Sequence, residues 1–260
     1  MITLKSSREI ELMKSAGKVV AKVFETVGPL IKPGISTFEI NEVAERVITE
    51  NGCTGPCKGY YGYPSMTCVS VNNVLIHGIP NKKIILKDGD IVSLDVVANY
   101  KGYCADATRT FEVGIVPERV KQLVKVTRDS FFESIKYFKE GNHVGDISHA
   151  IEAYVNKFGY SVTRDATGHG IGSSMHEDPA VPCYGKEGSG APIKVGMALA
   201  IEPMVLEGKY QTRILPDGWT TVSKDGKLTC HYENTVILTS EGLKIITLTE
   251  EESKELKEYV

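Results

Sequence analysis

Residues 93–111 read SLDVVANYKGYCADATRTF. The centre, Asn99-Tyr100-Lys101-Gly102, carries Asn and Gly, which reverse a chain at little steric cost. The flanks, 91–98 and 103–111, are rich in β-branched and aromatic residues, so the stretch predicts a β-hairpin. With Tyr100 and Lys101 as a two-residue loop, Asp95 falls directly opposite Asp106, Cβ atoms about 5 Å apart. Like charges so placed destabilise a hairpin unless something positive lies between them. A shared proton, a nearby Arg or Lys, or a bound cation would each relieve the repulsion. Arg109 lies an odd number of residues from Asp106 and so points to the other face of its strand. A metal ion is the leading expectation.

The chain has 260 residues, 42% of them apolar, enough to bury the core of a single domain spanning 1–260. A net charge of −3 gives no overall basic field to draw it to DNA or a membrane. The opening MITLKSSREI has no apolar signal core, and no apolar run approaches the roughly 20 residues that span a bilayer. The expectation is a soluble, cytoplasmic protein. Six cysteines without a C-x-x-C pair argue against a zinc ribbon, and in a cytosolic setting most thiols should be free.

The chain also repeats itself. Ser6-x-x-Glu9 is a capping-box pattern ahead of helically spaced Ile10, Met13, Gly17, Val20, Phe24 and Val27, predicting a helix to about Lys32-Pro33-Gly34. A second helix is predicted over 37–51. From Glu118 the pattern restarts, with helices to about Lys139 and over 146–158. An offset of 107 residues lays Gly34 on Gly141, Ile40 on Ile147, Glu45 on Glu152, Gly52 on Gly159 and Asp95 on Glu202. An offset of 127 lays Asp106 on Glu233. Two related halves, about 8–112 and 118–240, predict an α+β fold: a central antiparallel sheet covered by helices, with a pseudo-two-fold internal duplication.

That symmetry brings Asp95, Asp106, Glu202 and Glu233 together. Four buried carboxylates cost several kcal/mol each to desolvate unless compensated, and two divalent cations neutralise them. An imidazole among them would shift preference from Mg²⁺ or Ca²⁺ toward Mn²⁺, Fe²⁺, Co²⁺ or Zn²⁺. His169, in Thr167-Gly168-His169-Gly170-Ile171-Gly172, is the candidate, because glycines let the backbone approach closely. His77 and His176 could serve as acid, base or hydrogen-bond donor, and spacing does not say which. His231 shares a face with Glu233 and reads equally as a neighbour of the site or as sheet packing. His143 and His149 read as surface residues at a helix start.

With these residues in hand, Asp95, Asp106, His169, Glu202 and Glu233 resemble the five metal ligands of the methionine aminopeptidases, dinuclear metallopeptidases of the pita-bread fold. YYGYPSMTCVSVNNVLIHGIP, SLDV, YCADATRTF, TGHGIG, MHEDP, AIEP and HYENTV are similar to family signatures in the family's order, from about residue 3 to 248. The absence of an N-terminal Cys/His extension, and the short interval from His169 to Glu202, resemble the short bacterial type I form. The resemblance implies that Asp95 binds one of two divalent ions (Co, Mn, Fe or Zn), that Asp106 and Glu233 bridge them, and that His169 and Glu202 complete the second. It implies catalytic roles for Glu202 as proton shuttle, His176 on the scissile carbonyl and His77 near the peptide nitrogen. It implies a methionine slot of Cys57, Tyr60, Tyr63, Cys68, Met175 and Trp219, with His77 and His176 also touching substrate. Met175 departs from the aromatic residue usual in bacterial relatives. The implied activity is removal of N-terminal methionine from nascent chains when the second residue is small, by a monomer that could dock transiently on the ribosome through Lys14, Lys18 and Lys22. The rivals are a proline-type peptidase (prolidase or aminopeptidase P) on this fold, disfavoured by a first helix that begins by residue 8, and a non-catalytic binding protein, disfavoured by retention of all five ligands.

Overall fold

The computed structural model describes residues 1–259. Helix α1 spans Ser7–Val27 and starts as its capping box requires: Ser6 Oγ accepts from Glu9 N, and Glu9 Oε2 accepts from Ser6 N at 2.7 Å. It ends at Val27, earlier than Lys32-Pro33-Gly34, because Pro29 has no N–H to continue the ladder and the chain tightens into a 3₁₀ turn over Gly28–Leu30. Helix α2 spans Thr37–Glu50, α3 Glu118–Ile135 and α4 Val144–Asn156. Helix α4 begins before Asp146 because that aspartate does not sit at the cap. Its carboxylate instead reaches back to His143 N at 2.7 Å. A short α5 follows at Glu250–Glu255.

The main sheet contains β1 (Thr67–Val71), β2 (Ile91–Tyr100), β3 (Tyr103–Glu112), β4 (Thr167–Gly170), β5 (Glu177–Pro182), β6 (Ala198–Ile201), β7 (Glu233–Thr239) and β8 (Gly242–Ile245). Its order is β1-β2-β3-β7-β6-β4-β5, with β8 also on β7, and every pairing is antiparallel. One face of β2 and β3 (Val92, Leu94, Val96, Ala98, Ala105, Ala107) packs on α1 and α2. The second half forms its own core with α3 and α4.

The hairpin is present, but its register differs from the expected one. The two-residue loop is Lys101-Gly102, with Tyr100 paired to Tyr103. Both loop residues take positive φ, 48° and 89°, the conformation a tight hairpin turn needs and the one that Gly at its second position favours. Asn99 Oδ1 accepts from Gly102 N at 2.9 Å and fixes it. Asp95 therefore pairs with Thr108, and Asp106 with Val97. The two aspartates are diagonal neighbours on one face, not directly opposed. Arg109 points to the helix face, its guanidinium 5.1 Å from the Phe24 ring.

The halves meet along β3 and β7 through only two residue pairs, Glu233 with Thr108 and Asn234 with Ala107. Side chains extend the seam at each end. Thr235 Oγ1 accepts from Asp106 N and donates to Asp106 O, both at 2.8 Å. Arg109 Nη1 donates to Glu233 O at 2.7 Å and to Thr108 O at 3.1 Å. Its guanidinium is held in turn by both oxygens of Glu252 on α5, at 2.8 and 2.9 Å.

Candidate functional site

Each carboxylate arrives from a separate piece of sheet at this seam. Asp95 and Asp106 come from the hairpin, Glu202 from the end of β6, Glu233 from the first residue of β7. His169 enters from β4. Glycine is required around it: a Cβ on Gly168 would lie 2.5 Å from Ala200 O, and one on Gly170 would lie 2.1 Å from Asp178 O. The sequence-predicted ligands converge. His169 Nε2 lies 3.5 Å from Glu202 Oε1 and 3.9 Å from Asp106 Oδ2. Asp106, His169 and Glu233 each bring a donor atom within 4.8 Å of the others, and so do Glu202, His231 and Glu233.

The electrostatics are those expected of a cation-binding site. Burial pushes all four carboxyls upward. Mutual repulsion adds to it: Glu233, Asp95 and Glu202 act on Asp106, Asp95 acts on Glu202, and Glu202 and Asp95 act on Glu233. Asp95 Oδ1, Asp106 Oδ1 and Glu233 Oε1 are buried without a hydrogen-bond partner. Among the described residues no Lys or Arg side chain pairs with these carboxylates; Arg109 binds only the backbone oxygen of Glu233 and spends its charge on Glu252. Thr108 Oγ1, which the sequence reading missed, donates to Glu233 Oε2 at 2.9 Å. Its position two residues after Asp106, on the same strand face, was the available signal. Oxygen-rich, buried and unpaired, the set fits divalent cations. His169 fits too. Burial, with His176 beside it, holds its pKa down to about 4, and Nδ1 lies 2.9 Å from Gly170 O. A neutral ring must donate to that carbonyl from Nδ1, which leaves the Nε2 lone pair facing the carboxylates.

Beside them is a cavity of ≈ 110 Å³, lined by Cys57, Tyr60, Tyr63, Cys68, His77, Asp95, Val97, Asp106, Met175, His176 and Trp219. Every residue assigned to the slot from the resemblance is there; Val97, on the same face as Asp95, was missed. The volume is well below the roughly 300 Å³ at which drug-sized sites begin, so the slot suits one side chain. Its floor is sulfur-rich, with Cys57 Sγ 3.8 Å from Met175 Sδ. All six cysteines are free and buried, and burial pushes the Cys57 and Cys68 thiols well up, keeping both neutral. Trp219 packs edge-on to Tyr63 at 5.1 Å and to His77 at 5.9 Å. His77 holds φ 58°, a strained conformation for a non-glycine residue and a frequent companion of function. His176 lies edge-on to His169 at 4.4 Å, with Nδ1 3.0 Å from Tyr60 Oη. Burial lowers the pKa of His176 and takes that of His77 down to about 4. His143 and His149 lie elsewhere, the first at the N-cap of α4 and the second 3.5 Å from Glu187.

Residues 11–240 match the model of metallopeptidase family M24. The chain is 47% identical over 248 residues to the methionine aminopeptidase of Clostridium perfringens, covering 95% of this chain and 99% of that one. It superposes on the crystal structure of methionine aminopeptidase from Thermotoga maritima with a TM-score of 0.94 at 44% identity, covering 95% of this chain and 100% of that one. It is less similar to the Xaa-Pro dipeptidase of Bacillus anthracis, with a TM-score of 0.73 at 26% identity, covering 94% of this chain and 61% of that one.

Proposed function

The chain belongs to metallopeptidase family M24, and from that premise we propose that it is a methionine aminopeptidase, removing methionine from the N-terminus of polypeptides, nascent chains included, when the second residue is small. The observation that carries the reading is the meeting of partnerless buried carboxylates and His169 Nε2, 3.5 Å from Glu202 Oε1, with a sulfur-lined slot for one side chain. The first feature supports metal-dependent hydrolysis and the second supports the choice of methionine.

Asp95, Asp106, His169, Glu202 and Glu233 would hold two divalent ions drawn from Co, Mn, Fe and Zn. Four clustered buried carboxyls, three of them with a partnerless oxygen, are in keeping with the charge of two such ions. Bound there, such ions supply Lewis acidity toward the scissile carbonyl and toward an attacking water. The rest falls to the chain itself. Glu202 takes the water's proton and passes it toward the leaving nitrogen. Tyr60 engages His176 Nδ1, so the other ring nitrogen is free to donate to the developing oxyanion. His77, held in place by its backbone and by Trp219, meets the peptide nitrogen. Cys57, Tyr60, Tyr63, Cys68, Met175 and Trp219 orient the methionine side chain, the polarisable sulfurs and ring edges favouring a thioether.

The two halves, 8–112 and 118–240, act as one catalytic unit, supported by one continuous sheet in which β3 of the first half pairs with β7 of the second. A cytoplasmic location is part of this reading; no helix among the described residues is long and apolar enough to cross a membrane. Ribosome contact through Lys14, Lys18 and Lys22 has the exposed Lys18 in its favour, and charge reversal followed by co-sedimentation tests it. The experiment for the activity is turnover of Met-Ala, Met-Ile and Ala-Pro peptides by chelated and by Co²⁺- or Mn²⁺-reconstituted protein. Cleavage of Met-Ala alone, only with metal, is expected. Preference for Ala-Pro would make it a proline-type peptidase.

A further inference from the structure

One buried titratable side chain at the centre has no part in the chemistry above. His231 ends the short strand Thr229–His231, two residues before Glu233. Its backbone is clamped from both sides: Thr110 Oγ1 donates to His231 O at 2.7 Å and accepts from His231 N at 3.3 Å. Ser93 Oγ stands 2.7 Å from the same Thr110 hydroxyl. Such a clamp fixes where the ring points. The side chain is 3% exposed, and Nε2 lies 3.4 Å from Glu202 Oε2. That nitrogen has no hydrogen-bond partner.

Two readings of this contact can be separated by length. Hydrogen bonds from nitrogen to oxygen cluster at about 2.7–3.2 Å, so this contact is too long for a good one. Two donors on one tetrahedral cation, each about 2.1 Å from it, stand about 3.4 Å apart. The His169–Glu202 pair has the same spacing, 3.5 Å, on the other carboxylate oxygen. Each oxygen of Glu202 thus faces its own imidazole. Glu233 completes the second group, with Glu202, His231 and Glu233 all within 4.8 Å.

We propose that His231 is a metal-binding residue, a second imidazole at the centre that grips through Nε2 a divalent cation shared with Glu202 and Glu233. This rests on the metal-centre reading given above. A second nitrogen donor moves the centre's preference further from Mn²⁺ toward Fe²⁺, Co²⁺ and Zn²⁺.

The test loads the full-length protein with an NMR-active cadmium isotope. Scalar coupling from bound cadmium to imidazole protons passes only through a coordinate bond. Coupling to two histidines is expected in the wild type, reduced to one in His231→Gln. Coupling to His169 alone in the wild type overturns the proposal and leaves the metal centre standing. A protein that takes up no cadmium loses both. The wild-type spectrum decides even if the variant folds poorly. In parallel, Co²⁺ titration of apo protein by calorimetry should show one site of His231→Gln weakened by more than the roughly 10–100-fold that loss of a residue merely supporting a ligand costs. Unchanged affinities at both sites would contradict the assignment.

Discussion

Replacing Asp106 by Asn should change stability in opposite directions with and without metal. In chelated protein Asp106 is a fully buried carboxylate with a donor-atom neighbour on Glu233 within 4.8 Å and no cation to offset it. Two unit charges at that separation repel by about 3–4 kcal/mol at an effective dielectric near 20. Partial protonation of the cluster relieves some of this, so the amide should stabilise the apo protein by about 1–3 kcal/mol, or about 2–10 °C in Tm for a chain of this size. The backbone at 106 keeps its bonds to Thr235, so the swap disturbs little else. In saturating Co²⁺ the sign reverses. Tight binding stabilises the wild type by about 4 kcal/mol at a thousandfold excess over Kd, and most of that is lost when an anionic ligand goes. Scanning calorimetry in chelator and in Co²⁺ measures both. A variant that melts lower than wild type by the same amount in both media would refute the idea that these carboxylates form a charge-strained cation pocket.

The same cluster sets the pH dependence of the chelated protein. Its acids titrate higher when folded than unfolded, so their contribution to stability falls as pH rises. The buried histidines, held below the usual imidazole range, oppose this up to about pH 6.5. Above about pH 7 only the acids still titrate among these groups, and an apo Tm that climbs between about pH 7 and pH 8 would contradict this. Glu252→Gln leaves the buried Arg109 guanidinium without its counter-charge and should cost about 3–5 kcal/mol, seen as a lower urea midpoint with and without metal. Met175→Ala widens the slot beside Cys57, and kcat/KM for a Met-Ala peptide should drop roughly 10–200-fold at unchanged metal content. A loss of metal along with activity would show that Met175 supports the centre rather than the slot.

Strand parity made much of this centre legible. It correctly assigned Asp95 and Asp106 to one face and Arg109 to the other, even though the turn was placed one residue early. A one-residue shift of the loop moves the pairing by two, which preserves the faces and loses only direct opposition. The halves' offset likewise led from Asp95 to Glu202 and from Asp106 to Glu233 without a structure. The interactions that tie the centre to the rest of the chain were not legible. Nothing local to Arg109 signals that it will reach the carbonyl of Glu233 and the carboxylate of Glu252, and Thr235 gives no sign that it will hold both polar groups of Asp106. These are contacts between residues more than a hundred positions apart, set by how the halves dock. His231 lay between these cases: parity put it beside Glu233, but only coordinates show its ring nitrogen without a partner.

The placement of the centre on the seam follows from what each half can offer. To the proposed ligand set the first half brings only carboxylates, Asp95 and Asp106. The second brings Glu202, Glu233 and every imidazole next to them, His169 and His231. Two acids alone would make a weak, hard-ion site, and the second half alone would lack the anion nearest His169 other than Glu202. Closing the seam therefore assembles the repulsion and its remedy together. With just two ladder pairs joining β3 to β7, the backbone contributes little there. Thr235 and Arg109 secure the strands on which Asp106 and Glu233 ride, and a second backbone pairing, Thr221 and Val222 with Ile76 and Val74, also ties the halves. The proposed cations, held by carboxylates from both halves, would add to that docking, so metal binding should stabilise the folded protein.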